Sequence, residues 1–410
     1  MEARQGALFL LEAVLDRHQR LEAALTAMPV REARDRGFAH LIAATVLRRL
    51  GTLDAVLEAY LRGATPPRVR HVLRIGAAQS LFLGTAPHAA VGETVGLVRR
   101  ISPPHAGLAN AVLRRVAAEG ASRLEGLDAA RLDAPDWLWS AWWSAYGTAT
   151  YDIARAHASE PPLDLSPAPG ATPPEGATVL PWGSWRMPAG ADIGALDFDA
   201  GTFWVQDSAA SFPARLLAAR PAERVIDLCA APGGKTIQLL HAGAAVTAVE
   251  RDPLRMKTLA ANLARLTLSA ETVVADATTW RPAALADAVL LDAPCTATGT
   301  IRRHPDVAHL KRPTDVATVT PLQDSLIDAA RAMLRPGGRM IYAVCSLQRE
   351  EGIARVEAAL RRGWRRAPFT PEELATLPEA RTDAGDFRTL PHFRGGMDGF
   401  FAARLTLVDA

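Results

Sequence analysis

The first third of the chain carries apolar residues at helical spacing. Ala7, Leu8, Leu10, Leu11, Val14 and Leu15 fall on one helical face, and similar spacing recurs over 41–50, 53–61, 69–83, 91–98 and 108–116. Gly51, Pro66-Pro67, Gly84 with Pro87, and Pro103-Pro104 break the pattern. Residues 1–130 are therefore expected to form a compact helical bundle. From 131 to 202 the texture changes. Trp137, Trp139, Trp142 and Trp143 cluster near Tyr146, and a tract rich in proline and glycine follows, from Pro161-Pro162 to Pro188. That tract excludes a long helix and predicts a small, loop-rich connecting module with short strands. The tryptophans are expected to serve the core, with stacking on RNA bases as the competing reading.

From Phe203 to the end of the chain, residues 203–410, apolar runs alternate with helical stretches. Strands are predicted at 225–228, 245–249, 271–274, 288–291 and 340–344, and helices at 236–241, 253–266 and 321–334. Pro336-Gly337-Gly338 reads as a turn before the last of these strands. The stretch 399–405 reads as a final strand, antiparallel and near an edge. Such alternation predicts an α/β fold, a doubly wound parallel sheet of Rossmann-like type. In such a sheet, ligands sit beyond the carboxyl ends of the strands.

Charge sharpens the picture only by its distribution. The net charge is +2, but residues 1–120 hold 16 Arg and no Lys against 10 acidic residues, leaving −4 for the remainder. A basic helical block suits a polyanion such as RNA, although a solvated basic face is the plainer explanation. Three cysteines give no disulfide framework and point to a reducing, cytoplasmic compartment. The early apolar run is interrupted by Glu12, so no signal peptide is expected, and no run approaches the ~20 residues needed to span a bilayer.

The candidate chemistry lies at the predicted strand ends. Cys229-Ala230-Ala231-Pro232-Gly233-Gly234-Lys235 follows the first strand of the sheet and opens a helix. Its adjacent glycines allow close backbone approach, and the helix start offers free N–H groups. The glycine spacing fits neither the dinucleotide fingerprint nor the phosphate loop. Glu250 ends the second strand, where a carboxylate takes ribose hydroxyls. Asp276 follows the third and is placed to bond an adenine amine. Asp292 ends the fourth. This layout suits a nucleoside with a small charged tail, as in S-adenosylmethionine. No metal site is read from the sequence.

Cys295 and Cys345 each fall just past a strand end, facing one crevice. One buried cysteine is usually a small hydrophobe; two in this arrangement argue for chemistry. Carbon 5 of a pyrimidine is a poor nucleophile. Thiolate attack at carbon 6 makes it enamine-like, and a base must later remove the carbon 5 proton. Asp292 could hydrogen-bond the cytosine. Cys229 is better read as packing. An amino-group methyltransferase, or a non-catalytic RNA-binding factor on a degenerate fold, are the competing functions. Cys295 at the end of the Asp292 motif disfavours the first, and the intact glycines, acids and cysteines disfavour the second.

The run 227–236 resembles the cofactor loop of the RNA cytosine-5 methyltransferases of the NOL1/NOP2/Sun family, and Asp292-Ala293-Pro294-Cys295 and Val344-Cys345-Ser346 resemble its two cysteine motifs. The segment 295–306 is similar to the family's bacterial Sun branch, which methylates small-subunit (16S) ribosomal RNA. Gln206-Asp207-Ser208-Ala209 and Asp398-Gly399-Phe400-Phe401 match family landmarks. Asp35-Arg36-Gly37-Phe38 and Leu108-Ala109-Asn110-Ala111-Val112-Leu113-Arg114 resemble NusB-like RNA-binding domains. The resemblance implies Cys345 as nucleophile and Cys295 as the residue assisting release. It also implies that 229–235, Glu250, Asp276 and Asp292 hold S-adenosylmethionine. Arg302 and Arg303 are expected on RNA phosphates. RNA rather than DNA is the implied partner, without a membrane, and the chain is expected to act as a monomer. Glu250 stands where the family usually has Asp, Val344 where it has Thr, and 162–166 departs from the family's usual Arg-Val-Asn segment.

Overall fold

The computed structural model describes residues 2–407. The chain divides into two compact units. One comprises the residues up to Ser159 together with Ile301–Lys311, and the other comprises Glu160–Thr300 with the chain from Arg312 onward.

The first unit is all helix: α1 (Glu2–Leu11), α2 (Leu21–Ala27), α3 (Ala33–Arg48), α4 (Leu50–Glu58), α5 (Pro67–Leu81), α6 (Pro87–Ile101), α7 (Ala106–Leu124), α8 (Ala129–Asp133), α9 (Asp136–Tyr146) and α10 (Ala149–His157). Prolines open α5 and α6, where a missing N–H costs nothing. The apolar stripes seen in the sequence make one core, with Leu8, Leu11, Ile42, Leu47, Leu73, Val98 and Leu113 buried in it. Arg36 donates to the carbonyls of Leu25, Met28 and Val30. It thereby closes the carboxyl end of α2. The tryptophans divide. Trp142 is buried at 1 % exposure, whereas Trp143 is 46 % exposed and stacks on Trp139.

The second unit contains a small antiparallel sheet, β2-β3-β1-β4, of β1 (Leu163–Pro167), β2 (Thr178–Val179), β3 (Trp185–Met187) and β4 (Phe203–Val205). The stretch 131–202 is thus shared: its α-helices lie in the first unit and its strands in the second. The main sheet has the order β10-β12-β9-β8-β5-β6-β7, with β11 paired to β12. Its strands are β5 (Arg224–Leu228), β6 (Ala245–Glu250), β7 (Glu271–Val274), β8 (Ala286–Asp292), β9 (Leu334–Val344), β10 (Trp364–Arg366), β11 (Phe387–Arg388) and β12 (Phe401–Leu407). From β7 across to β9 the pairing is parallel. The last strand, β12, runs antiparallel between β9 and β10.

Alternation along the strands feeds two cores. Val289, Leu291, Met340 and Tyr342 pack with Leu326 and Ile327 of α15 (Pro313–Arg331) and Val356 of α16 (Ile353–Arg361). Their neighbours Ala288, Leu290, Ile341 and Ala343 pack with Phe212 and Leu216 of α11 (Ser208–Leu217) and Leu239 of α12 (Gly234–His241). Period two therefore builds a layer of helices on each face. A further helix, α13 (Pro253–Arg265), covers Ala248 and Ile237.

Two boundaries differ from the sequence reading. Helix α15 starts at Pro313, eight residues before the expected start at Pro321. Pro313 opens it, the Asp315 carboxylate accepts from the Arg312 N–H at 2.8 Å, and Pro321 is tolerated inside. Strand β9 also begins earlier, at Leu334, because the chain pairs with β8 on both sides of Pro336-Gly337-Gly338, with a register shift between the Ala286 and Ala288 pairings.

The segment Ile301–Lys311, with α14 (Val307–Leu310), packs inside the helical unit. Arg302 is 2 % exposed, which removes it from any phosphate contact and corrects that expectation. Arg303 is half-buried. His309 bonds the Leu47 carbonyl at 2.8 Å, and Arg48 donates to the Arg302 carbonyl at 3.2 Å. No helix among the described residues is long and apolar enough to cross a membrane.

Candidate functional site

The glycine-rich loop leaves β5 at the centre of the parallel sheet. Gly233 has φ 105°, and a Cβ there would lie 3.1 Å from Leu259, so glycine suits both the turn and the packing. Side chains of α13 hold the loop. Arg255 donates to the Ala231 carbonyl at 2.6 Å, and Asn262 to that of Pro232 at 2.9 Å. The Ala230 N–H bonds the Val249 carbonyl of the adjacent strand. Gly234 begins α12 and Lys235 follows it. Cys229 packs against the sheet core, and burial, then Glu250 and Asp292, push its thiol up to about 12. A thiol so held stays largely protonated near neutral pH.

Glu250 ends β6 at 3 % exposure. Its Oε1 accepts from Asp252 N–H at 3.1 Å. Its Oε2 lies 3.1 Å from Arg255 Nη1 yet receives no hydrogen bond. A buried carboxylate oxygen without a donor is costly, and a ribose hydroxyl would supply one. The residues therefore fit a nucleoside cofactor. Asp276, past the end of β7, is exposed. It accepts from the N–H and hydroxyl of Thr278, at 2.9 and 2.7 Å, which hold its carboxyl below the usual range.

Lys235 Nζ lies 2.6 Å from Asp292 Oδ2 and 5.2 Å from the Phe400 ring. Burial disfavours its charge, but Asp292 more than offsets this and leaves it raised; Asp227 and Cys345 act in the same sense. Asp227, fully buried beneath the loop, takes the Thr236 hydroxyl at 2.6 Å, and burial pushes it up to about 7.

The two cysteines meet. Cys295 Sγ lies 3.4 Å from Cys345 Sγ. The hydrogen bond with Cys345, then burial, holds the Cys295 thiol well above its ordinary range. Their loops are joined around Glu351, which is 0 % exposed. Its carboxylate accepts from Thr296 N–H at 2.8 Å, from the Thr296 hydroxyl, from Ser346 Oγ at 2.6 Å and from Gln323 Nε2 at 3.2 Å. The Gly299 N–H bonds the Cys345 carbonyl at 3.1 Å. A Cβ on Gly299 would stand 1.9 Å from the Gly399 carbonyl, which only glycine permits. The two outer landmarks also meet, Asp398 N–H donating to Asp207 at 3.0 Å.

The sheet thus brings 229–235, Glu250 and Asp292 to the carboxyl ends of neighbouring strands, with Asp276 on the outermost. Sequence reasoning missed Asp227, Gln323, Thr296 and Glu351. The only signal for Glu351 was an acid shortly after Cys345, in a stretch that otherwise reads as surface. A separate cavity of about 500 Å³, lined by Pro167, Trp204, Gln238 and His241 among others, contains none of these residues.

Comparison with known proteins gives the site its family. Residues 214–406 match the family described as 16S rRNA methyltransferase RsmB/F, and residues 1–118 match the NusB family. The chain is 36 % identical to ribosomal RNA small subunit methyltransferase B of Thermus thermophilus, covering 95 % of this chain and 93 % of that one. It is 34 % identical to the protein of that name from Pseudomonas putida, covering 100 % and 99 %. The crystal structure of PH0851 shares the fold, with a TM-score of 0.75 at 24 % identity over 98 % of both chains. The methyl donor of such enzymes is S-adenosylmethionine. With its helical unit, its parallel sheet and its paired cysteines, the chain belongs to the RsmB/F family of S-adenosylmethionine-dependent 16S rRNA methyltransferases.

Proposed function

We propose that this chain methylates carbon 5 of a cytosine in 16S ribosomal RNA through a covalent adduct to Cys345. The observation that carries the reading is the pair of thiols 3.4 Å apart, with Lys235 and Asp292 alongside. A site for amino-group methylation has no use for two sulfurs in contact.

Bound S-adenosylmethionine supplies the methyl group as an electrophile. Glu250 would hold its ribose, Asp276 its adenine, and the backbone of 229–235 its tail, with Asp292 at the edge of the same crevice. The Lys235 ammonium lies within electrostatic reach of Cys345. Cys345 attacks carbon 6 of the base, forming an S–C bond and moving the double-bond electrons toward carbon 5. Asp292 hydrogen-bonds the base and keeps it in register. Carbon 5 gains the methyl group and must then lose its proton so that the S–C bond can break. Cys295 assists at this stage. While Cys345 is free, the contact between the sulfurs holds the proton on Cys295. Once Cys345 is bonded to carbon 6 that contact no longer opposes ionisation, and Cys295, having lost its own proton to water, takes the carbon 5 proton as a thiolate. The basic, NusB-like helical unit is the natural holder of RNA.

The two cysteines separate in one experiment. Cys345→Ala should form no adduct and transfer no methyl group. Cys295→Ala should still attack and accumulate as a protein–RNA species that survives denaturing electrophoresis and disappears with nuclease. The opposite pattern reverses the roles. Full activity in both variants removes covalent catalysis. Bisulfite mapping of 16S RNA from a deletion strain identifies the base.

A further inference from the structure

We infer that Glu351 is the positioning residue of the two-thiol site, clamping the loop after Cys295 to the loop after Cys345 and so fixing the distance between the sulfurs. The inference rests on the cysteine reading above and adds to it a residue that touches neither cofactor nor RNA.

The geometry is specific. Thr296 directly follows Cys295, and Ser346 directly follows Cys345. One carboxylate accepts from both, taking the Thr296 N–H and hydroxyl on one side and the Ser346 hydroxyl on the other. Gln323 completes the clamp. Its Nε2 donates to the Pro294 carbonyl at 2.9 Å as well as to Glu351 at 3.2 Å. The backbone is therefore pinned on both sides of Cys295. Ser346 is held in turn. Its hydroxyl accepts from Gln348 N–H at 3.1 Å and contacts Thr298 Oγ1 at 3.2 Å, and its carbonyl accepts from Arg388 at 2.6 Å. The main chain of Glu351 is fixed by the Tyr342 hydroxyl on its carbonyl.

A carboxylate with no exposure is expensive to bury, and these partners are neutral donors. For packing alone, an apolar residue would serve as well or better. What a carboxylate adds is several acceptor sites at one point, enough to tie two loops together. Its charge also faces Cys295 and helps keep that thiol protonated. The other ionisable groups around Cys295 and Glu351 are Cys345, Tyr342 and Arg388, with Lys235 and Asp292 on the Cys345 side and Arg355 and Asp324 beyond Tyr342.

The test uses the full chain with Glu351→Gln, Glu351→Ala and Thr296→Val. Three quantities are read: S-adenosylmethionine affinity by calorimetry, single-turnover methylation of 16S RNA, and the pH dependence of Cys295 alkylation by iodoacetamide, followed on its own peptide. Glu351→Ala should lose about 100-fold in single-turnover rate, the scale of a 1 Å misplacement, with cofactor affinity unchanged. Glu351→Gln keeps the shape and should fall between parent and alanine variant. Its Cys295 alkylation should move to lower pH, a change that lost packing alone would not produce. Thr296→Val should show the same split, smaller. If the alanine variant does not fold, the glutamine and valine variants decide. A Glu351→Gln protein that binds cofactor, methylates and alkylates as the parent does overturns the inference. Should Cys295→Ala trap no protein–RNA adduct, the cysteine reading fails, and the Cys295 pH profiles of the parent and Glu351→Gln still judge Glu351.

Discussion

The carboxylate of Asp306 accepts a hydrogen bond from the backbone N–H of Leu21 at 3.0 Å, across 285 residues of sequence. Leu21 is the first residue of α2, and Arg20 before it offers no side-chain cap. A helix start normally borrows its acceptor from the residue just before it. Here the acceptor comes from the segment that follows Cys295 in the chain. Substituting Asp306→Ala leaves a buried donor unsatisfied, at a cost of about 1–3 kcal/mol. We expect the loss in the urea transition of the helical unit, followed by the fluorescence of its tryptophans. Asp306→Asn keeps an acceptor and should retain most of the stability. Equal stability of parent and alanine variant would mean that water caps α2 as well.

Glu250 gives a binding prediction. Its Oε2 is buried without a donor, and the proposed donor is a ribose hydroxyl. Glu250→Ala should weaken S-adenosylmethionine binding by about 10- to 150-fold, the equivalent of about 1.5–3 kcal/mol for a charged hydrogen bond. Glu250 also pairs with Arg255, which holds the Ala231 carbonyl. The variant therefore needs a control. Arg255→Ala disturbs the loop but leaves the carboxylate, and should weaken binding less. An unchanged dissociation constant for Glu250→Ala would take the residue out of the cofactor site.

The sequence made some features legible because local pattern and topology agree there. Short continuous apolar runs leading to Glu250, Asp292 and Cys345 marked parallel strands, and adjacent glycines marked the close approach at 233–234. The strand order put those ends side by side, as an open sheet must. What stayed hidden depends on long-range packing. Arg302 reads as a surface cation beside Arg303, yet it is buried, because the segment 301–311 leaves the sheet unit and folds into the helical one. No local signal marks that exchange. Pro321 reads as a helix start, yet α15 begins at Pro313, because Asp315 caps it. Nothing local in the sequence separates Glu351 from its neighbour Glu350. Its role appears only when Thr296 and Ser346, 50 residues apart, are seen on one carboxylate.

Asp227 gives the pH prediction. It is fully buried, its Oδ2 holds the Thr236 hydroxyl, and its Oδ1 has no hydrogen-bond partner. Burial raises its pKa from 3.8 to about 7. Between these values the folded protein keeps a proton that the unfolded chain has released. Stability from this group therefore falls as pH rises from about 4 to about 7, and changes no further above that. Each tenfold difference in proton affinity between the folded and unfolded chain corresponds to about 1.4 kcal/mol. Asp227→Asn cannot ionise and keeps an oxygen for Thr236, so it should escape this loss. Thermal unfolding of parent and variant should therefore diverge as pH rises from 4 to 7, the variant becoming relatively more stable, and run parallel at higher pH. Asp386, pushed up to about 6 by burial, and His157, pushed down to about 3 by burial, also make stability depend on pH. Both are present in the two proteins and cancel in the difference. A difference that does not change with pH would mean that Asp227 is already ionised in the fold, with Lys235 as the partner that permits it.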